Sequence, residues 1–343
     1  VITHLMNKLT NVFREGFSNS FYPVPQQAIG VGSAFEGWSP YAQDAVYHVL
    51  VPLSPPPGHS FHLELGTAGT LQRNFSVRVE LLCTCTSKQL GNDTLCFLHH
   101  PEEELRRQDP SLLHTLCTGA YLDVKKTIRW FYRFVRVAWL LLPQSRHWRL
   151  ILQPSSQSCK FQLSKDNKIF TVHIIFGVRQ GDSDIFVGSQ PTEAHLQGIP
   201  STTWLETYAV AETKFFKHIS RQAPQDSCHC KCLQLLTRFL MGIDFSSYAL
   251  KTVVMHLLNT IPLTRWHRWD LQRRMMDILM YLRWSLERKQ LHHFVIGNER
   301  LPMEISLPSG FRVAKPPNLF QHLASNPDAH TKAVQEYFRL LYR

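Results

Sequence analysis

The stretch Ser246-Ser247-Tyr248-Ala249-Leu250-Lys251-Thr252, which continues into the apolar run Val253 to Leu258, decides the fold of this chain. Its apolar residues recur at helical spacing and predict a helix over 246–260. The same spacing predicts four more helices from about residue 205 onward, at 206–220, 228–241, 267–288 and 328–342. The C-terminal part of the chain, 205–343, is therefore predicted to be a helical lobe.

The first part of the chain, 1–204, has a different pattern. The sequence predicts strands at 46–53, 61–65, 74–82, 148–153, 159–163 and 169–178, many of them with alternating apolar and polar residues. Two helices interrupt this pattern, an amphipathic one at 3–17 and a long one at 120–142 with a basic flank formed by Lys125, Lys126, Arg129, Arg133 and Arg136. Strands with a few helices, followed by an all-helical half, predict an α+β fold with two lobes.

The composition indicates a globular, basic protein and does not identify its partner. The 343 residues are 44% hydrophobic and 18% charged, which is typical of a globular protein. The net charge of +11 would suit nucleic acid, acidic lipid headgroups or an acidic protein surface. No signal peptide or membrane span is predicted, because Trp130 to Leu142 is too short and contains Arg133 and Arg136. Since Val1 is not a natural start, we expect a fragment, and an upstream anchor remains possible.

The eight cysteines do not show the C-x2-C spacing of a structural zinc site; they are Cys83, Cys85, Cys96, Cys117, Cys159, Cys228, Cys230 and Cys232. The run from Cys228 to Cys232 leads into the apolar stretch 233–240. We therefore interpret it as the first turn of a helix, with thiols that point in different directions. The sequence predicts no bound metal and no cofactor.

Several motifs resemble those of the male-abnormal-21 family, which includes cyclic GMP–AMP synthase. Ser246 to Thr252 resembles its Ser-Tyr-x-x-Lys-Thr helix, and Gly32-Ser33 resembles the Gly-Ser pair of nucleotidyltransferases. The closing helix and turn of the family are matched by Tyr281-Leu282, by Lys289 to Phe294 and by Gly297 to Leu301. Segments 28–38, 49–53 and 96–101 resemble the inositol trisphosphate receptor-interacting protein-like branch. The resemblance implies a two-lobed nucleotidyltransferase-like fold, with a mixed sheet, a spine helix and a C-terminal helical lobe.

This branch also implies a location and a partner. Its members look like single-pass membrane proteins whose folded domain follows the anchor, so we expect attachment to the cell membrane through a segment upstream. The side of the membrane that the domain faces stays open. The family name implies binding to the inositol trisphosphate receptor.

The resemblance also shows which catalytic groups are absent. Active relatives hold magnesium with Glu-x-Asp on one strand and an Asp on a later strand, because magnesium prefers oxygen ligands. The matching positions here are Val46, His48 and His173. Asp44 is a rescue candidate on the strand face of Val46, whereas Asp182 and Asp184 are interpreted as turn-formers. His48 and His173 could approach each other across the sheet and bind a soft metal such as zinc, but two ligands make a weak site, and packed histidines are the favoured interpretation.

Three further sets of residues could carry function. Gly32-Ser33 could cradle a phosphate through backbone N–H groups or be an inherited turn. Trp266 and Trp269, with Arg265 and Arg268, could form a protein interface or pack into the helical lobe, and Arg133 marks a second possible surface. Asn74 and Asn92 begin N-glycosylation sequons.

Together these features predict a non-catalytic pseudo-nucleotidyltransferase that binds another protein, a membrane receptor or channel, as a regulator or ligand in signalling. The alternative is a sensor that binds a nucleotide, an inositol phosphate or nucleic acid without turnover. Nucleic acid is the less favoured partner, because the zinc loop that sensor relatives use for duplex DNA has no counterpart here.

Overall fold

The computed structural model describes residues 1–342 except 42–44, 69–71, 87–93, 154–157, 190–197 and 241–244. The chain divides into two compact units. The sheet unit contains Val1–Val31 and Val46–Tyr208, and the helical unit contains Gly32–Ala45 and Ala209–Arg343. Among the described residues, no helix is long and apolar enough to span a bilayer.

The sheet unit is built on one mixed β-sheet. Its strands are β1 (Val24–Pro25), β2 (Ile29–Val31), β3 (Val46–Ser54), β4 (His59–Leu65), β5 (Asn74–Leu81), β6 (Cys117–Thr118), β7 (Tyr121–Leu122), β8 (Arg149–Gln153), β9 (Cys159–Lys165), β10 (Lys168–Arg179), β11 (Phe186–Gly188) and β12 (Thr203–Thr207). The main order is β1-β3-β10-β11-β12-β5-β7-β6, with β2 beside β3, β4 beside β5, and β8 and β9 continuing from β10. β3 and β10 run parallel, and the other pairs described above are antiparallel.

Helices complete both units. They are α1 (Ile2–Gly16), α2 (Ser33–Glu36), α3 (Glu102–Leu105), α4 (Leu112–Thr115), α5 (Val124–Leu140), α6 (Ala209–Gln222), α7 (His229–Phe239), α8 (Ser247–Thr260), α9 (Leu271–Glu287), α10 (Gln321–Ser325) and α11 (Pro327–Leu341). Two short 3-10 turns, Leu263–Arg265 and Arg268–Asp270, separate α8 from α9.

Aromatic packing holds α5 on the sheet, where it is the predicted spine helix. Phe131 of α5 stacks on Phe13 of α1 at 5.1 Å between ring centroids, and it meets Phe176 of β10 at 5.5 Å. Asp123 caps the helix by accepting a hydrogen bond from the Lys126 amide at 3.0 Å. These ring contacts pack α5 against α1 and against β10, the strand that carries His173.

The predicted fold class is confirmed, and the long predicted helices and strands fall within a few residues of the observed ones. The boundary lies at 208/209 rather than 204/205, because β12 (Thr203–Thr207) pairs with β5 and β11. The prediction that all of 1–204 forms one lobe is wrong in one place. Residues 32–45 belong to the helical unit, where Glu36 is held by Lys251 of α8.

Candidate functional site

His48 and His173, which the family resemblance predicts at the positions of metal-binding carboxylates, lie side by side in the sheet unit. β3 and β10 are parallel neighbours, and their register places His48 opposite His173 and Val46 opposite Thr171. The two imidazole rings are 5.2 Å apart between centroids at an interplanar angle of 63°. The predicted approach of the two histidines across the sheet is confirmed.

The surroundings of this pair keep both imidazoles neutral. Burial, together with the nearby His48 and Lys160, lowers the pKa of His173 to about 3, and burial is the largest cause. Burial and Lys160 also lower the pKa of His48, against a backbone hydrogen bond at Val46. Lys160 lies on β9, directly opposite His173. The site is thus flanked by a cation, which opposes the binding of a metal ion.

The histidine pair lacks a third metal ligand among the described residues. No other His, Cys, Asp or Glu in that part of the chain completes a group around it. His173 Nε2 is buried and has no hydrogen-bond partner there. Asp44, the rescue candidate, lies outside the described residues. Two imidazoles form a poor site for magnesium, which prefers oxygen ligands.

Asp182 and Asp184 lie in the turn that joins β10 to β11. These strands are antiparallel, with Arg179 opposite Phe186. Gly181 has a φ of 57°, and the Ser183 hydroxyl donates to the Gln180 carbonyl. The interpretation of both aspartates as residues of a tight turn is confirmed by their position.

Gly32-Ser33 begins α2 in the helical unit. Gly32 has a φ of 79°, a conformation that favours glycine, and its carbonyl accepts hydrogen bonds from the Phe35 and Glu36 amides. The helix has only four residues. The position explains why glycine is needed for the turn, and phosphate binding by this pair stays a prediction.

A buried charge network lies inside the helical unit, and sequence reasoning did not anticipate it. Lys251 Nζ lies 2.9 Å from Glu36 Oε1 and 2.6 Å from Glu212 Oε2. Tyr248 donates to Glu212 at 2.8 Å, and Thr213 donates to Glu36 at 2.9 Å. The Tyr and Lys of the Ser-Tyr-x-x-Lys-Thr motif therefore hold the helical unit together through two buried carboxylates.

The predicted tryptophan surface needs a correction. Trp266 is 0% exposed, whereas Trp269 is 75% exposed and stacks on His267 at 4.2 Å. Trp266 lies between the two 3-10 turns, and its carbonyl accepts a hydrogen bond from the Cys228 amide. Its ring is fully buried in the helical unit. This burial removes Trp266 from the interface. Arg265, Arg268 and Trp269 remain exposed.

The helix α9, which follows Trp269 in the chain, carries an exposed apolar stripe. Met276, Met280 and Trp284 recur every four residues, so they share one face of the helix. Met280 is 63% exposed and Trp284 is 50% exposed. The Arg288 guanidinium lies 4.0 Å from the centroid of the Trp284 ring. We call Met276, Met280 and Trp284 the α9 stripe. Apolar residues at helical spacing are also typical of a buried helix face, so the sequence alone did not identify the stripe as exposed.

The basic face predicted on α5 is present in the sheet unit. Lys125, Arg129, Arg133 and Arg136 are all exposed. Lys126 is half-buried and donates to the Cys117 carbonyl, so it does not belong to this face.

The two sequons differ in what the structure says of them. Asn74 is buried at the start of β5, and its amide nitrogen donates to the Ala68 carbonyl at 2.8 Å. A glycan cannot be attached to this side chain in the folded protein, so the proposed modification at Asn74 is wrong. Asn92 lies outside the described residues.

The cysteines of the Cys228 to Cys232 run lie at the start of α7, which begins at His229. This placement confirms the interpretation of the run as the first turn of a helix. A different group of cysteines, which the spacing rule passed over, converges with a histidine in the sheet unit: Cys83, Cys85, Cys96 and His99.

Comparison with known proteins identifies relatives of this chain. Residues 228–302 match the family described as the Mab-21 protein HhH/H2TH-like domain. Inositol 1,4,5-trisphosphate receptor-interacting protein-like 1 of Rattus norvegicus is 37% identical over 332 residues, which cover 93% of this chain and 60% of that protein. The Mus musculus protein of the same name has the same identity and coverage.

A second group of relatives is more distant. The inositol 1,4,5-trisphosphate receptor-interacting protein of Homo sapiens is 29% identical over 340 residues, which cover 91% of this chain and 61% of that protein. The chain thus spans about three fifths of the length of the relatives it matches.

Proposed function

The chain belongs to the Mab-21 family, in the branch of the inositol 1,4,5-trisphosphate receptor-interacting proteins, and we propose that it is a non-catalytic module that acts by binding another protein. The relatives are named for an interaction with a receptor, which supports a protein-interacting regulator. The partner that we propose for this chain is the inositol 1,4,5-trisphosphate receptor itself.

The chemistry of the sheet unit supports the non-catalytic part of this proposal. Nucleotidyl transfer needs divalent cations to neutralise the reacting phosphates. The family resemblance puts Val46, His48 and His173 at the positions of these carboxylates, and Lys160 on β9 lies opposite His173. Neutral imidazoles beside an ammonium group are poor ligands for a hard cation.

The α9 stripe is the observation that carries the protein-binding part. Binding energy at protein interfaces concentrates in Trp, Tyr and Arg, and methionine suits adaptable apolar surfaces. Met280 and Trp284 stay exposed on a well-packed helix whose other face includes the fully buried Ile278 and Leu282. Exposed apolar side chains that adjoin in this way are typical of a surface that another protein covers.

The test compares binding to the purified receptor in detergent, measured by biolayer interferometry. The double variant Met280→Ala with Trp284→Ala should weaken binding by about 30-fold or more, as expected for an interface hot spot. Met303→Ala is the matched control, because Met303 is 87% exposed in the same unit but lies outside the α9 stripe. The melting temperature of both variants should stay near that of the wild type.

Two results would oppose the proposal. If the wild-type chain does not bind the receptor, the proposed partner is wrong. If it binds and the double variant binds equally well, the α9 stripe is not the interface, and the exposed arginines of α5 become the next surface to test.

Membrane attachment is a further part of the proposal. We propose a single-pass protein of the cell membrane, with its anchor outside the sequence given. This rests on the resemblance to the receptor-interacting branch. Labelling of the Lys125 ammonium group by a membrane-impermeant reagent on intact cells, against permeabilised cells, would show which side the domain faces.

The second candidate is a non-catalytic sensor of polyanions, favoured by the basic face on α5. Lys125, Arg129 and Arg133 follow one another at intervals of four residues and are exposed. Such a line can follow a phosphate backbone. The salt dependence of DNA binding separates this candidate from a protein-binding module.

A further inference from the structure

Four side chains that can bind a metal converge in the sheet unit, far along the chain from the histidine pair. Cys83 and Cys85 follow the end of β5, and Cys96 and His99 belong to the turn that precedes α3. The distance to His99 Nδ1 is 3.5 Å from Cys83 Sγ, 3.0 Å from Cys85 Sγ and 3.6 Å from Cys96 Sγ. The four ligand atoms all lie within 4.8 Å of one another.

A hydrogen bond to His99 accounts for the position of only one of the three thiols. A neutral imidazole has one nitrogen that can accept and one that donates. The single Nδ1 atom therefore cannot accept from three thiols at once, yet all three sulfur atoms face it. A cation at the centre of the group would attract all four ligands together.

The distances also agree with those of a bound zinc ion. Zinc lies about 2.3 Å from cysteine sulfur and about 2.05 Å from histidine nitrogen in tetrahedral sites. A tetrahedral angle then places sulfur and nitrogen about 3.6 Å apart, and two sulfur atoms about 3.8 Å apart. The observed sulfur–nitrogen distances of 3.0–3.6 Å reach this value without large rearrangement.

We propose that Cys83, Cys85, Cys96 and His99 form a structural zinc site. Four protein ligands leave no open position for water or substrate, which is typical of structural rather than catalytic zinc. The Thr84 amide donates to Cys96 Sγ at 3.4 Å, and such hydrogen bonds orient and stabilise a metal-bound thiolate. Three of the ligands, Cys83, Cys85 and His99, are exposed, so zinc can enter from solvent.

The proposed zinc site includes two residues of the turn 96–99, and this turn contributes Phe97 to the packing of the sheet unit. Phe97 lies between the ligands Cys96 and His99, and its ring meets Phe21 at 4.6 Å and His59 at 5.5 Å between centroids. Zinc would hold this turn against the residues that follow β5. Loss of the metal should therefore loosen Phe97 and lower the stability of the sheet unit.

The test measures zinc in the whole chain, purified under reducing conditions from zinc-supplemented cells. Elemental analysis and native mass spectrometry should find one zinc ion per chain. Cys96→Ser and His99→Asn should each lose it. His100→Asn is the matched control, because His100 is adjacent in sequence but pairs with Glu104 instead of the cluster, and it should retain the zinc.

A second measurement does not depend on how well the variants fold. Cobalt exchanged into the wild-type chain should show the visible absorption of a tetrahedral thiolate site, and a chelator should lower the melting temperature. A wild-type chain without zinc after supplementation would overturn the proposal. So would a disulfide between two of the three thiols in protein taken from cells, since an oxidised pair cannot ligate the ion.

Discussion

Replacing Lys251 by methionine should destabilise the helical unit strongly, because it leaves two carboxylates buried without their cation. Lys251 Nζ lies 2.9 Å from Glu36 and 2.6 Å from Glu212, and all three side chains are at least nine-tenths buried. With an effective dielectric constant of about 20, each pair attracts by about 6 kcal/mol before desolvation is counted. Burial of the charges offsets much of that attraction.

The net loss follows from what remains after the substitution. Glu36 keeps hydrogen bonds from Thr213 and Trp38, and Glu212 keeps one from Tyr248. Removing one partner of a buried ion pair typically costs about 3–5 kcal/mol. Since the remaining donors satisfy part of each carboxylate, we expect a value within that range rather than above it.

The assay is hydrogen exchange of the α8 amides, which gives the opening free energy of this helix separately from the sheet unit. Lys231→Met is the matched control, because Lys231 is exposed on α7 and should change stability by less than about 0.5 kcal/mol. Adding Glu212→Gln to Lys251→Met should recover part of the loss. Stability of Lys251→Met within about 0.5 kcal/mol of the wild type would refute this reasoning.

The network also predicts a pH dependence. Burial alone would raise the pKa of Glu212, but the Lys251 charge and hydrogen bonds outweigh burial and hold the pKa below 4.5. The stabilisation of the folded state by ionised Glu212 is therefore present above pH 4.5 and is lost as the pH falls. Burial alone would lower the pKa of Lys251, but the Glu212 and Glu36 charges raise it above 10.5. The stabilisation of the folded state by charged Lys251 is therefore present below pH 10.5 and is lost as the pH rises. In Lys251→Met a buried carboxyl should take up a proton, so the deficit should be smaller at pH 5 than at pH 8.

Three other outcomes are expected. His173 has a folded pKa of about 3 against an ordinary 6.5, so wild-type stability should fall as the pH drops below 6.5, and urea titrations of His173→Phe should show a flatter dependence. Trp266→Ala should cost about 3–5 kcal/mol in thermal unfolding while Trp269→Ala changes stability little, and equal effects would contradict their assigned burial. DNA binding measured by fluorescence anisotropy should be weak and lost with added salt; tight binding at physiological salt that falls in Lys125→Glu with Arg129→Glu would favour the sensor.

The long helices and strands could be predicted because each has a recognisable local pattern of apolar residues. α1, α5 and α8 have apolar residues at helical spacing over at least 14 residues, and β10 is rich in β-branched and aromatic residues, with 172–178 buried. β11 has three residues and is wholly buried, so it shows no alternation. Gly32–Ala45 belongs to the helical unit through contacts between residues far apart in the chain, such as Glu36 and Lys251, which are 215 residues apart. No local pattern carries that information.

The parts of the candidate site whose positions follow from the family resemblance could be predicted from the sequence. The residues whose role depends on whether the side chain is buried could not. The register of β3 against β10 brings His48 and His173 together, as the family pattern implies. Trp266 and Trp269 have similar neighbours in sequence, and only the turn geometry buries one and exposes the other. The group around His99 combines Cys-x-Cys with Cys-x-x-His, a spacing that a search for C-x2-C pairs passes over.

We propose that this chain has a nucleotidyltransferase-like fold and lacks nucleotidyltransferase activity. The most direct test incubates the chain with ATP, GTP, duplex DNA and either magnesium or manganese, and analyses the mixture by mass spectrometry. Since the family resemblance puts Val46, His48 and His173 at the positions of the carboxylates, we predict no cyclic or linear dinucleotide. A metal-dependent product that disappears in Asp44→Ala would contradict the claim and identify Asp44 as a metal ligand.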